Sequence, residues 1–154
     1  MSVNSVAEDI KDRIVAGGFA TFPPPSSPSA NQFGISKNMA LEKPDRLIAV
    51  YAFGGPQPER VMLKSIKPQE TKTFQIRIRG SRRGSEAEVV GKLDDIVYFL
   101  EELARFDVVA TDSGDPDLVY YLISRTSDAL FLKTDENARM IWTVNMKAKR
   151  KRKS

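Results

Sequence analysis

The sequence predicts an α/β or α+β domain in which a mixed, mainly antiparallel sheet is flanked by helices. Between Thr71 and Leu103, apolar residues first alternate with polar ones, as in a half-buried strand, and then recur at helical spacing. Gly80 separates the two patterns, and Ser85 followed three residues later by Glu88 forms a capping box that starts a helix. The adjoining sheet face and helix face each need the other to exclude water, which predicts a shared core.

The remaining elements give the order α-β-β-α-β-β. A first helix is predicted over residues 5–16, where two glycines can end it, and an apolar strand runs from Arg46 to Phe53. After the second helix, strands are predicted over residues 118–124 and 139–147. The side chains expected to be buried between sheet and helix are Ile76, Ile78, Leu93, Ile96, Val97, Leu100 and Trp142.

A long loop is predicted over residues 19–45, because its run of prolines favours an extended conformation and excludes a helix. Such a segment is either a surface loop or a ligand for a partner protein. Within the other connections, residues 61–63 form a candidate short strand, residues 129–132 a short apolar link and residues 135–137 a turn.

The positive charge of the chain is concentrated at its C-terminus. The 154 residues carry a formal net charge of +4, from 24 basic and 20 acidic residues. Six of the basic residues lie within the last eight positions, so the remainder has 18 basic and 20 acidic residues and a net charge of −2. We therefore expect one near-neutral domain over residues 1–147 and a disordered basic tail over residues 148–154. Deletion of the chain from residue 148 onward is then expected to leave the fold intact.

Composition and motifs argue against catalysis. The chain contains no cysteine and no histidine, which removes the commonest acid–base residue and the commonest metal ligand. No phosphate-binding loop, nucleophile elbow or zinc-protease motif occurs, and the acidic turn at residues 112–117 lacks the spacing of a calcium loop. We therefore expect no enzymatic activity and no cofactor. No apolar run reaches the length of a membrane span, so no membrane partner is expected either.

Two basic groups are candidates for contacts with anions or DNA. Arg82 and Arg83 lie in the turn before the second helix, where free backbone amides also favour an anion, although an ordinary basic turn explains them equally well. In the C-terminal tail, the residues that can neutralise phosphates are Lys149, Arg150, Lys151, Arg152 and Lys153. The tail has no interleaved aromatic residues, so base stacking is not indicated.

The sequence resembles the tail terminator (minor tail, tail completion) proteins of long-tailed bacteriophages. The resemblance covers most of residues 5–147. It is carried in order by the first amphipathic helix, by IAVYAFGG (48–55), by FQIRIRGS (74–81) running into SEAEVVGKLDDIVYFL (85–100), and by LKTDENARMIWTVNM (132–146). The family often has Gly-Arg before the Asp-Glu turn, where this chain has Lys133 and Thr134. The proline-rich segment and the basic tail are also atypical.

The resemblance implies a structural virion protein at the head-proximal end of the tail, assembled in the host cytoplasm. Its copies would form a ring, generally a hexamer, that caps the tail tube, stops tube polymerisation and offers a surface to the head–tail connector protein. Gln75, Arg77 and Arg79, opposite the core, are then expected to contact a neighbouring subunit or to line a lumen through which DNA passes. Plain solvent exposure is the alternative for these three residues. The alternatives for the function are a head–tail joining (neck) protein and a small nucleic-acid-binding protein that uses its basic tail.

Overall fold

The structure, a computed structural model, describes residues 6–26, 32–53, 69–104, 108–109 and 118–152. Its described elements follow in the order α1 (Val6–Ala16), β1 (Gly34–Lys37), β2 (Leu47–Phe53), β3 (Gln69–Arg82), α2 (Glu86–Leu103), β4 (Val108–Val109), β5 (Leu118–Arg125), β6 (Leu130–Thr134) and β7 (Arg139–Arg152). This is the predicted mixed α+β class with a mainly antiparallel sheet.

One sheet of seven strands is built around β3 and β7, which are each 14 residues long and pair antiparallel. On the other edge of β3 lies β2, also antiparallel, and β1 adds to β2 in parallel. The other edge of β7 is shared, because β5 pairs with its C-terminal half and β6 with its N-terminal half. The two-residue strand β4 pairs with β5.

Both helices pack on one face of this sheet and enclose the hydrophobic core with it. Helix α1 lies over β1, β2 and β3, and helix α2 lies over β3, β5 and β7. Six of the seven residues predicted to be buried are at most 1% exposed, namely Ile76, Ile78, Leu93, Ile96, Val97 and Leu100. Trp142 is only partly buried, and its ring packs edge-on against Phe131 with 5.6 Å between the centroids.

The helix ends agree with their sequence signals. Helix α1 ends in a Schellman motif, in which the Phe19 amide donates a 3.2 Å hydrogen bond to the Ile14 carbonyl. Gly18 has a φ of +81° there, a conformation that glycine adopts without a steric penalty. At the start of α2, the Ser85 hydroxyl accepts a 3.2 Å hydrogen bond from the Glu88 amide, as the capping box predicts.

Three short strands were not predicted, and one of them is the two-residue β4, which lies between α2 and β5 where no element was predicted. The expected loop over residues 19–45 contains β1, whose Ile35 enters the core, and the expected apolar link over residues 129–132 belongs mostly to β6. A strand of four or five residues shows too few alternations for its period to be recognised. The candidate strand at residues 61–63 and the acidic turn at residues 112–117 lie outside the described residues.

The C-terminus differs most from the prediction. A disordered tail was expected from residue 148, but strand β7 continues through residues 148–152 and is paired there with both β3 and β5. Ala148 and Arg150 face the helices and are at most 1% exposed. Because successive side chains of a strand point to opposite faces, Lys149 and Lys151 lie on the face that carries no described helix.

Candidate functional site

The sheet face opposite the two helices carries polar and basic side chains along β3 and β7, beside the apolar Leu47, Ala49 and Ile141, and we call it the helix-free face. It arises because the odd-numbered residues of β3 and β7 point away from the core. The residues of this face that concern function are Tyr51, Gln75, Arg77, Asn145, Lys147, Lys149 and Lys151.

A row of interacting side chains crosses the middle of the helix-free face. The Gln75 amide donates a 2.9 Å hydrogen bond to the Asn145 side-chain oxygen, and the Gln75 oxygen accepts a 2.8 Å hydrogen bond from Arg77 Nε. The Arg77 guanidinium lies 5.0 Å from the centre of the Tyr51 ring. These contacts join β2, β3 and β7 and hold Gln75 and Arg77 in place while both remain partly exposed.

Three lysines continue this face toward the end of β7, and we call Lys147, Lys149 and Lys151 the lysine stripe. Residues two apart along a strand lie roughly 7 Å from one another on the same face. The Nζ atom of Lys151 lies 5.0 Å from the centre of the Tyr121 ring. The stripe therefore presents three positive charges in a row on a rigid central strand.

Arg79, the third residue predicted to make contacts from this face, is engaged inside the protein. It is 8% exposed, and its guanidinium donates hydrogen bonds of 2.7 to 3.2 Å to four backbone carbonyls. These belong to Leu41, Glu42, Pro44 and Asp45. Burial, together with the nearby charge of Arg139, lowers the pKa of Arg79. Arg79 thus holds residues 41–45 over one end of the helix-free face, and its own guanidinium is buried beneath this loop.

A second buried arginine, Arg139, holds the same loop and the predicted turn at residues 135–137. Its guanidinium donates 2.9 Å hydrogen bonds to the Asp135 carboxylate and the Glu42 carbonyl and lies 3.1 Å from the Asp45 carboxylate. Burial alone would raise the pKa of Asp135, but hydrogen bonds from the Arg139 amide and guanidinium lower it overall. Asp135 is a local partner, four residues before Arg139, but Glu42 and Asp45 belong to a loop far away in the chain, so no local sequence signal shows the complete clamp.

The region before α2, where an anion site was predicted, already holds a carboxylate of the protein itself. Arg82 and Arg83 are exposed, but the carboxylate of Glu88 already lies at this helix end. It accepts a 3.0 Å hydrogen bond from the Ser81 hydroxyl and pairs with Arg46. An internal carboxylate therefore occupies the place expected for a bound anion.

The basic residues of the predicted tail are divided by the fold. Lys149 and Lys151 belong to the lysine stripe, whereas Arg150 points in the opposite direction and is 1% exposed. The side chain of Arg152 and the whole of Lys153 lie outside the described residues. The predicted tail is therefore part of the sheet as far as residue 152, and its alternate lysines form part of a candidate surface.

Arg150 belongs to a buried polar cluster between α1, β5 and β7. Its Nη1 atom donates a 3.2 Å hydrogen bond to the Tyr120 hydroxyl, which donates a 2.6 Å hydrogen bond to the Asp9 carboxylate. All three residues are at most 2% exposed. Burial, together with the charge of Asp9, raises the pKa of Tyr120, so its hydroxyl keeps the proton that it donates. The cluster ties the first helix to the end of the last strand.

Within the described ranges, no group of three or more acidic side chains is arranged to hold a metal ion. No helix in the described part of the chain combines the length and the apolar character needed to cross a membrane.

A family model described as "Bacteriophage tail terminator protein" matches residues 34–152 of this chain. The match begins at the first residue of β1 and ends at the last residue of β7, so it includes every described strand as well as helix α2. The helix-free face and both arginine clamps lie within it. No curated protein matches the chain.

Proposed function

The chain belongs to the bacteriophage tail terminator family and is a structural protein of the phage tail, and we propose that its copies form a ring, generally a hexamer, that caps the tail tube. One side of the ring meets the tube protein and stops its polymerisation, and the other side meets the head–tail connector protein. The observation that carries this proposal is the family match across the entire described sheet.

Capping depends on the surfaces that the ring exposes. Each finished ring of a growing tube exposes a surface that accepts the next ring. A terminator must match this surface on one side and present a different surface on the other. Such a role requires a firmly folded subunit with extended interfaces. The long β3–β7 pair and the clamping of residues 41–45 by Arg79 and Arg139 supply a subunit of this kind.

We place the helix-free face toward the lumen of the ring. Arg77 and the lysine stripe give this face a row of positive charges, and such charges attract the phosphate backbone of DNA without reading its sequence. DNA that passes through a tail must meet a surface of this sequence-independent kind. Gln75 and Asn145, which bond to each other, complete a polar surface between the charges.

Deletion of the gene from the phage genome tests the capping role. We expect infected cells to contain overlong, headless tail tubes in electron micrographs, and a plasmid that supplies the chain to restore tubes of normal length. Tubes of normal length that fail to join heads would overturn the capping role and indicate a head–tail joining protein. Normal infectious particles would overturn both functions.

A further inference from the structure

Strand β6 leaves an apolar surface uncovered in a single copy of the chain. Its residues Leu130, Phe131 and Leu132 are 51%, 52% and 45% exposed, and we call them the β6 apolar segment. Among the described strands only β7 pairs with β6, so the outer backbone edge of β6 is also unpaired there. Three consecutive exposed apolar residues on an open sheet edge are a surface that favours association.

A second uncovered apolar surface lies on the C-terminal half of α2, next to the segment that follows α1. It is a groove of about 510 Å³, which we call the α2 groove. Tyr98, one of its residues, is 68% exposed. The groove is lined by Phe19, Asp95, Tyr98, Phe99, Glu102 and Leu103.

The two surfaces are complementary in chemistry and lie in different layers of the molecule. The β6 apolar segment is at the edge of the sheet, whereas the α2 groove opens in the helical layer. Lys133 follows the apolar segment directly, and the groove carries the carboxylates of Asp95 and Glu102 among its aromatic residues. Opposite charges beside matching apolar surfaces favour one register of contact over others.

We propose that the β6 apolar segment of one copy docks into the α2 groove of the next copy, with Lys133 facing Glu102. This contact joins two different patches, so its repetition from copy to copy closes a ring when the rotation per subunit divides the circle. Symmetrical pairing of two β6 edges would stop at a dimer and leave both α2 grooves uncovered. The proposal rests on the ring proposed above and names the contact that closes it.

Trp142 provides a built-in reporter of this contact. It is the only tryptophan of the chain, it lies opposite Phe131 in the strand register, and the two rings pack edge to face. Its indole Nε1 is buried and has no hydrogen-bond partner within the described structure. Docking of the β6 apolar segment would change the surroundings of Phe131, so we expect the Trp142 emission to shift when copies associate.

Engineered cysteines test the contact without background, because the chain contains no cysteine. We expect Leu132→Cys and Tyr98→Cys in the same chain to give, after oxidation in lysates of infected cells, a ladder of covalent multimers up to the ring size. Each single variant should stay monomeric on non-reducing gels. As a matched control, Met39→Cys, at a position that is 55% exposed, combined with Tyr98→Cys should give no ladder.

Charge exchange tests the register of the same contact. In the double-cysteine chain, Lys133→Glu should reduce the ladder at least tenfold, and the further change Glu102→Lys should restore it. A ladder that is unchanged by Lys133→Glu would overturn the proposed pairing. Covalent dimers from Leu132→Cys alone would show that β6 edges meet each other and would overturn the proposal, as would absence of a ladder in complemented particles.

Failure of this proposal can be told apart from failure of the capping role. Overlong tubes after gene deletion, together with no ladder, would leave the capping role standing and refute the β6–α2 contact. A ladder of covalent multimers, together with tubes of normal length after gene deletion, would support the β6–α2 contact and refute the capping role.

Discussion

The guanidinium of Arg150 donates a 3.2 Å hydrogen bond to the hydroxyl of Tyr120 in the interior of the protein. Through this hydroxyl, which donates in turn to Asp9, the last strand is connected to the first helix. An arginine within a run of basic residues is therefore part of the folded core. Removal of this arginine should therefore lower the free energy of unfolding more than it changes binding.

Replacement of Arg150 with alanine is expected to lower the free energy of unfolding by about 3 kcal/mol, because the buried carboxylate of Asp9 would lose this counterion. Tyr120→Phe, which removes the hydroxyl that donates to the buried Asp9 carboxylate, should cost about 2 kcal/mol. Urea unfolding followed by circular dichroism measures both. Lys149→Ala, on the opposite face of the same strand, is the control and should change stability by less than about 0.5 kcal/mol.

A truncated chain that ends at Lys147 extends this test. Contrary to the expectation from sequence, it should be strongly destabilised, because it loses the buried side chains of Ala148 and Arg150 and the strand pairing on both sides of them. A truncated chain as stable as the full chain would show that the end of β7 does not contribute to the fold.

The pairing of Asp135 with Arg139 makes stability depend on acidity. Because hydrogen bonds from Arg139 lower the pKa of Asp135 in the folded state, this carboxyl binds a proton more readily when the chain is unfolded. Its contribution is therefore complete above the ordinary aspartate pKa of about 4 and is lost as the pH falls below that value toward the lowered pKa. Asp135→Asn should weaken the decrease in unfolding free energy between about pH 5 and pH 2.

The measurement for Asp135 is a series of urea midpoints at decreasing pH. Asp94→Asn, at an exposed position of helix α2, is the matched control and should reproduce the wild-type curve. The same acid dependence in both variants would mean that the Arg139 pair does not contribute to acid sensitivity.

Arg79→Lys is expected to loosen the loop at residues 41–45. The planar guanidinium of Arg79 reaches four carbonyls at once, whereas an ammonium concentrates its three donors at one point. Hydrogen exchange of the backbone amides in this loop should become at least tenfold faster. Arg77→Lys, on the same strand face but outside the clamp, should leave that exchange unchanged. Full protection in the Arg79 variant would contradict the assigned role.

Long elements that contain both apolar and charged residues were predicted correctly from the sequence. Helix α2 alternates apolar and charged residues over 18 positions, so its buried face could be recognised. At the end of β7 almost every residue is basic, and the alternation between buried Arg150 and partly exposed lysines cannot be seen in a uniform run of charge. The partners that permit burial, Asp9 and Tyr120, are distant in the chain and become neighbours only in the fold.

The candidate surface was likewise predicted only in part. The alternation in β3 placed Gln75, Arg77 and Arg79 on the face opposite the core, and this is where the strand register puts them. Only the tertiary structure shows that a loop covers Arg79, because no local pattern reveals where residues 41–45 return. The lysine stripe was missed for the opposite reason, since its residues were assigned to a tail and not to the sheet.

The lumen assignment depends most on the lysine stripe. Replacement of Lys147, Lys149 and Lys151 with glutamine removes three positive charges and keeps a polar side chain at each position, and none of these side chains belongs to the core. If each lysine neutralises one phosphate, the slope of log K against log salt concentration for duplex DNA should become shallower by about 0.9 per lysine. The titration is read from labelled DNA between about 50 and 200 mM salt.

Arg82→Gln combined with Arg83→Gln is the control for this titration, because these exposed arginines lie at the end of β3 and in the turn that follows it, away from the lysine stripe. It should leave the salt dependence unchanged. In infected cells, the triple glutamine variant should cap tubes at normal length, because capping uses other surfaces, while DNA delivery through the tail becomes less efficient. An unaltered slope in the triple variant would refute the lumen assignment and leave the capping role standing. A slope lost only in the turn variant would instead move the DNA contact to the start of α2.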